Sequence, residues 1–466
     1  MPQRPNILFI LIDDLGWKDL GCYGSGFYET PNLDRLAADS MRFTDAYAAC
    51  PVCSPTRASI LSGKYPARLG LTNYISWRNP GHRDRGRLID APYIPYLDTA
   101  ETSLATALRE NGYATWHVGK WHCGEEAYWP ENHGFDVNIA GCDHGLPPQG
   151  YFSPYGLPHL DDGPEGEYLT DRLTDEAIGL IRERDPAKPF FLNLWYYTVH
   201  TPIEAKPELI DKYERKARAL GLDRVKTFEE GEIFPKSKSV LNRVRRRLVQ
   251  SDPVYAAMIE TMDADVGRLL QALEESGEME DTIIIFTSDN GGETTAPPAP
   301  TCNAPLCEGK GWMYEGGTRE PLLVRWPGVT RPNSLCVTPV TSPDFYPTIL
   351  DMAGIETRPE QHCDGISLTP LLNGGNSLDR DAIFWHYPHY GNQGGTPGSS
   401  VRVGDWKLIE FYEDGRLELY NLRTDIGETK NLAGVHPART RELHDRLTAW
   451  RNEMEALEPT PNPDWM

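Results

Sequence analysis

The sequence predicts an α/β fold. It reads as a large, mostly parallel central sheet sandwiched by helices, followed by a smaller C-terminal α+β domain carrying an antiparallel sheet. Three observations carry this expectation. Short, unbroken apolar runs recur along the 466-residue chain, as strands buried on both faces require. Segments with apolar residues three and four apart lie between them, and strands alternating with helices imply parallel pairing. After about residue 375 the pattern changes to short, closely spaced strands broken by turn signals. The expected domains are 1–375 and 376–466, the latter closed by a terminal helix.

The first run is Asn6–Ile12. Its apolar part spans only 7–12 before Asp13-Asp14, too short for a signal-peptide core, and no segment of the chain reaches the roughly 18 apolar residues of a membrane span. The expectation is a cytoplasmic chain without a membrane span, or a periplasmic or secreted one if an export segment was trimmed. Next, Ser54 is a good N-cap and Pro55 suits the first helical position, so a helix should continue from Thr56 to Leu61. Thr102 heads a helical pattern that Gly112 ends. Further buried strands are expected at 114–118, 190–196 and 282–287, and helices at 171–184 and 254–275. Residues 212–249 are basic through Lys212, Arg215, Lys216, Arg218 and the run 243–247, and read as a solvated helical excursion, a rim for an anionic substrate or a subunit contact. Residues 292–311, rich in Pro, Thr, Ala and Cys, read as a long loop. In the second domain, 400–403, Trp406–Phe411 and 417–420 are strands separated by Gly404-Asp405 and Glu413-Asp414-Gly415, and 437–456 is a helix.

Lys and Arg number 46 against 68 Asp and Glu, a formal net charge of -22. So acidic a chain lacks the basic footprint of a nucleic-acid binder, and no nucleic-acid partner is expected. An anionic substrate would need a locally positive pocket. Nine cysteines in 466 residues are too sparse, and odd in number, for a disulfide scaffold.

Several clusters carry chemistry. Cys50-x-x-Cys53 admits a zinc half-site or a redox pair, but no second Cys-x-x-Cys follows and no thioredoxin-like setting surrounds it. Cys53 instead precedes a predicted helix N-terminus, where free amides favour an anion and Arg57 adds positive charge. Asp13-Asp14 and Asp289-Asn290 each end a predicted strand, and ligands of open α/β sheets lie outside the carboxyl ends of strands. These are hard oxygen donors suited to Ca2+ or Mg2+; taken singly, each pair also reads as a turn or cap. Lys120 and His122 follow the strand ending at Gly119, His200 follows another, and Lys310 stands between two glycines that leave its amine unshielded.

In this order and spacing the clusters resemble the type I sulfatases of the alkaline phosphatase superfamily. Cys53-Ser54-Pro55-Thr56-Arg57, continued by Ala58 to Lys64, is similar to their Cys-x-Pro-x-Arg signature, and Gly112 to His122 to their second signature. The resemblance runs from residue 5 to about 350. It implies an alkaline phosphatase-like fold, with 1–375 as the catalytic sulfatase domain. It implies that a formylglycine-generating enzyme converts Cys53 to formylglycine, whose hydrate is the nucleophile. It implies a metal, Ca2+ with Mg2+ as the alternative, held by Asp13, Asp14, Cys53, Asp289 and Asn290. Catalytic roles follow for Cys53, Arg57, Lys120, His122, His200 and Lys310.

The implied reaction is hydrolysis of a sulfate monoester to an alcohol and inorganic sulfate. One hydroxyl of the hydrate attacks sulfur. Lys120, Lys310 and Arg57 hold the sulfuryl oxygens, His200 with Lys310 protonates the leaving oxygen, and His122 serves as base when the aldehyde re-forms. Three carboxylates, three cationic side chains and a divalent ion leave this site net positive within an acidic protein. The rivals are a phosphonate monoester or phosphodiester hydrolase of the same superfamily, a non-catalytic sugar-binding protein and a thiol redox protein. A sulfated carbohydrate is favoured over small aryl sulfates, since 12 Trp and 22 Tyr offer stacking surfaces. His82, Arg83 and Arg85, and His386 and His389 of the second domain, are candidates for the pocket mouth, with solvated-loop or structural roles as the alternative.

Overall fold

The computed structural model describes residues 4–295 and 297–465. Its central sheet runs in the order Ser334–Cys336, Met41–Tyr47, Arg319–Arg325, Thr282–Ser288, Asn6–Ile12, Phe190–Trp195, Ala114–Gly119, Val137–Ile139, with Val340–Thr341 also pairing to Met41–Tyr47. Asn6–Ile12 lies between two parallel neighbours, Phe190–Trp195 and Thr282–Ser288. All seven of its residues are buried, which is why it reads as an unbroken apolar run rather than an alternation. Arg319–Arg325 is antiparallel to both of its neighbours.

Helices cover both faces. On one, Leu169–Glu183, Pro207–Ala219 and Pro253–Glu275 pack around Leu8, Ile10, Leu192 and Phe286. On the other, Cys53–Ser62, Leu104–Arg109 and Phe345–Met352 meet Ile7, Phe9, Phe191 and Ile285. The alternation of side chains along each strand divides these two cores.

A four-stranded antiparallel sheet, Ile383–Tyr387, Gly398–Val403, Trp406–Phe411 and Arg416–Asn421, follows. Helix Pro437–Glu453 packs on one of its faces through Leu443, Leu447 and Trp450. The other face shares a core with Tyr47, Cys50, Val52 and Met313, so this sheet braces the loop leading into Cys53. A buried ionic network ties the two parts: Glu315 meets Lys407 at 2.9 Å and Arg319 at 2.7 Å, while Lys407 also meets Glu428 at 3.0 Å. The chain end returns to the large sheet's side, where Thr460–Pro461 pairs with Leu88–Ile89.

Several local expectations shift. The helix at Cys53 begins at Cys53 itself, with Val52 as its N-cap, so Ser54 is not the cap; its hydroxyl instead accepts the Ile75 N–H at 3.1 Å. Ser103 rather than Thr102 caps the next helix, accepting the Thr106 N–H. The basic segment is not a helical excursion throughout: after Pro207–Ala219 it forms a hairpin, Phe228–Ile233 with Arg243–Arg247. The hairpin's charges pair across strands and with loops, as in Arg246 with Glu232 and Glu308, so the charge run reports a strand ladder. Residues 292–311 form a loop without helix or named strand among the described residues.

Candidate active site

The site lies at the carboxyl ends of the central parallel strands. Asn6–Ile12 stops at Ile12, and Asp14 adopts φ 61°. That left-handed turn lets successive side chains converge where a continuing strand would send them to opposite faces. The neighbouring strand supplies the counterpart: the Asp289 N–H donates to Ile12 O at 3.2 Å, and the Asp14 N–H donates to Asp289 Oδ1 at 3.3 Å. Cys53 comes from the first turn of the buried helix, and its Sγ lies within 4.8 Å of carboxylate oxygens of Asp13 and Asp289.

Each carboxylate faces a cation, and Asp13 Oδ1 also lies 3.7 Å from Arg57 Nη2. Lys120 Nζ sits 2.6 Å from Asp13 Oδ2, Lys310 Nζ 2.7 Å from Asp14 Oδ2, and Arg57 2.8 Å from Asp289 Oδ2. Burial opposes ionisation of Asp14, yet Lys310, His200 and Lys120 outweigh it and hold the carboxyl well below the usual range. Asp13 goes the other way: burial, reinforced by Asp289 and Asp14, raises its carboxyl well above that range despite Lys120. Asp13 Oδ1 and Asn290 Oδ1 are buried without a hydrogen-bond partner. Unpartnered oxygens amid clustered carboxylates fit a hard divalent cation, which would satisfy both atoms and relieve the repulsion at Asp13.

Arg57 is fully buried. Nε and Nη2 face Asp289, Nη1 donates to Lys120 O at 2.7 Å, and the guanidinium lies 5.3 Å from the Trp195 ring. It sits behind the carboxylates and does not line the cavity. The cavity, of about 420 Å³, opens over Cys53, His122, His200 and Lys310. Its walls include Tyr74, Ser76, Trp77, Glu293, Asn392 and Gln393. His122 Nε2 lies 2.7 Å from Ile75 O and so carries the proton, while Nδ1 has no partner. Burial and Lys120 hold His122 well below its ordinary value. His200 Nδ1 faces Thr201 O at 2.8 Å and Nε2 lies 3.6 Å from Asp14 Oδ2; burial and then Lys310 lower it to about 3. Both rings are therefore neutral at pH 7 in this state. Burial pushes the Cys53 thiol up, with Lys120 and Lys310 working against it.

The candidates for the pocket mouth fare differently. His386 is buried, bonded to Ser399 Oγ at 2.7 Å and Leu457 O at 3.0 Å; His389 is buried between Thr72 and Asp90. Neither lines the cavity: His386 is held by the C-terminal sheet and Leu457, and His389 is anchored to Thr72 and Asp90 of the large domain. Arg83 donates to Asp90 O at 2.6 Å and Arg85 faces Asp464 at 3.5 Å, so both point away as well. His82 lines an adjoining cavity of about 150 Å³ that shares Tyr74 and Ser76 with the main one. From the segment 77–87 Trp77 lines the main cavity, with the Arg78 guanidinium 4.6 Å from its ring, beside Tyr74, Ile75 and Ser76. Sequence reasoning missed Tyr74, Glu293, Asn392 and Gln393. Of these only Glu293 carried a signal, as a carboxylate three residues after Asn290.

A cation-flanked cluster of carboxylates beside a cysteine, at the strand ends of an α/β sheet, defines a metal-dependent hydrolase of anionic esters. The comparisons give the family. Residues 5–355 match the Sulfatase family, and residues 308–453 match N-sulphoglucosamine sulphohydrolase, C-terminal. The chain is 33% identical to a sulfatase from Formosa agariphila, over 96% of this chain and 89% of the relative. It is 30% identical to human arylsulfatase A, over 96% and 86%, and 29% to canine N-acetylgalactosamine-6-sulfatase, over 96% and 79%. Among solved structures it resembles Ps i-CgsB in complex with k-i-k-neocarrahexaose, with a TM-score of 0.76, 29% identity and coverage of 96% and 93%. The chain belongs to the type I sulfatase family of the alkaline phosphatase superfamily and is a sulfuric ester hydrolase. The family implies a divalent metal and formylglycine. No helix among the described residues is long and apolar enough to cross a membrane.

Proposed function

We propose that this sulfatase removes a sulfate ester from a carbohydrate, using Cys53 as the formylglycine precursor and Asp13, Asp14, Asp289 and Asn290 as ligands of Ca2+. The observation that carries this reading is the convergence of three buried carboxylates, three cations and Cys53 at the base of one cavity. A divalent ion held by these residues would polarise the sulfuryl group and acidify the nucleophilic oxygen on residue 53.

The chain's own groups supply the rest. Lys310 lines the cavity and Lys120 is buried against Asp13, so their ammonium groups add positive charge that offsets the sulfate oxygens. Arg57 acts as a positioning residue that fixes Asp289 and the Lys120 carbonyl. The unpartnered Nδ1 of His122 takes the proton released at residue 53, since its Nε2–H is committed to Ile75. Lys310 stays protonated against Asp14 and, with His200 beside it, delivers the proton to the leaving oxygen. Trp77 gives the sugar ring a flat surface at the mouth. Ps i-CgsB, bound to k-i-k-neocarrahexaose, supports a carbohydrate over a simple aryl sulfate. The nine free cysteines suit a cytoplasmic setting.

Two measurements test this. Mass spectrometry of the peptide holding residue 53, from protein co-expressed with a formylglycine-generating enzyme, should show a loss of about 18 Da from cysteine. A panel of sulfated oligosaccharides should release sulfate, and turnover of an aryl sulfate should exceed that of an aryl phosphonate. An unmodified, active Cys53, or a preference for the phosphonate, would reject the assignment.

A further inference from the structure

Glu293 stands in the wall of the cavity that opens over Cys53, yet none of the roles above uses it. Its backbone is clamped. The preceding carbonyl, of Gly292, accepts the Lys310 N–H at 3.2 Å; its own carbonyl accepts the Thr301 N–H at 3.4 Å; the following carbonyl, of Thr294, accepts the Arg247 N–H at 2.9 Å. The residue is only 8% exposed, and Gln393 lines the same cavity and lowers its carboxyl against the effect of burial. A carboxyl so rigidly held at the edge of a site for an anion costs binding energy unless the substrate repays it with a hydrogen bond.

Building on the carbohydrate reading, we infer that Glu293 is a specificity-determining residue that binds a hydroxyl or amide N–H of the sugar beside the sulfate ester, so that the favoured substrate is a singly sulfated sugar whose leaving group is neutral. Trp77, Glu293 and Gln393 line one cavity, so a sugar seated there has all three within its walls. A second sulfate or a carboxylate at that position would be stripped of water without a free cation among the described residues of the wall to meet it. The cation of that wall, Lys310, already faces Asp14. Burial favours the protonated form of Glu293, raising it to about 8, so the side chain both donates and accepts at neutral pH.

The test compares wild type, Glu293→Gln and Glu293→Ala, each converted at residue 53. The substrates are monosulfated galactose, N-acetylgalactosamine and fucose, their disulfated counterparts, and 4-nitrocatechol sulfate. The expected result is that Glu293→Ala lowers the ratio of sugar-sulfate to aryl-sulfate kcat/KM by at least about fivefold. Glu293→Gln, which keeps a neutral hydrogen-bonding group, should hold the ratio near wild type, and wild type should favour each monosulfated sugar over its disulfated form. An unchanged ratio in Glu293→Ala, or a preference for disulfated sugars, overturns the inference while leaving the carbohydrate reading intact. Hydrolysis of the aryl sulfate alone, with every sugar refused, overturns both. Should Glu293→Ala fail to fold, the wild-type preference and the Glu293→Gln ratio still decide.

Discussion

Asp13 and Asp14 show how much chemistry one backbone angle can place. With φ at 61°, Asp14 turns back beside Asp13, and the pair meets Asp289 and Asn290 across the sheet. Cys53→Ala should lower kcat by at least about 10³-fold with little change in stability, because it removes the nucleophile's precursor and leaves a small side chain in the same helix turn; steady-state assay and thermal melting together check it. Glu293 carries the pH signature. Burial and Asp14 raise its carboxyl from 4.5 to about 8, against Lys310 and Gln393. Its native pKa lies above the unfolded one, so its contribution to stability is complete below about 4.5 and is lost as pH rises through about 8. Melting curves of Glu293→Gln and wild type should therefore diverge in favour of the variant between those values. A constant difference would contradict the burial. Asp13-Asp14, Cys53, Lys120, His122, His200 and Asp289-Asn290 were legible as site candidates because each follows a strand or starts a helix, and Lys310, in a loop, because it stands between two glycines. Arg57 was legible as a site member. Its position behind the carboxylates was not, because that depends on packing against Trp195.

Elements set the reach of these residues. Ala114–Gly119 ends in Gly119 at φ 104°, and a Cβ there would meet Trp195 O at 2.1 Å. Gly119→Ala should thus displace the strand end that carries Lys120 and His122, costing more than about 2 kcal/mol in chemical denaturation and disabling turnover. The hairpin Phe228–Ile233/Arg243–Arg247 reaches the cavity mouth through the segment between its strands. Lys236 meets Asp84 at 2.8 Å and Asn392 at 3.2 Å, and Asn392 in turn donates to Tyr74 Oη at 2.7 Å. Lys236→Ala should raise KM severalfold on sugar sulfates with a stability change within about 1 kcal/mol, since the pair is partly exposed. The basic character of this segment was visible in the sequence. The hairpin was not, because short charged strands lack the apolar alternation that marks strands.

Across the whole molecule, an acidic chain of net charge -22 gathers its cations where the substrate's charge must be met. The three buried carboxylates are balanced only by Arg57, Lys120 and Lys310, so removing a bound divalent ion with EDTA should lower the Tm. Ca2+ at about 100 times its Kd should restore roughly 2.7 kcal/mol, and a Tm indifferent to chelation would argue against the ligand set. The Glu315–Lys407–Glu428 network does similar work between the two sheets. Sequence alone marked four of the buried parallel strands, the second antiparallel sheet and the candidate residues that the structure gathers at the base of the site, because hydrophobic runs, caps and signature spacings are local properties of the chain. The tertiary structure alone assigned His386 and His389 to packing, turned Arg83 and Arg85 away, and assembled the mouth from Tyr74, Trp77, Glu293, Asn392 and Gln393. A pocket wall is built from loops far apart in the chain, and which of their side chains face inward depends on how the sheets and helices pack, which no single stretch of sequence records.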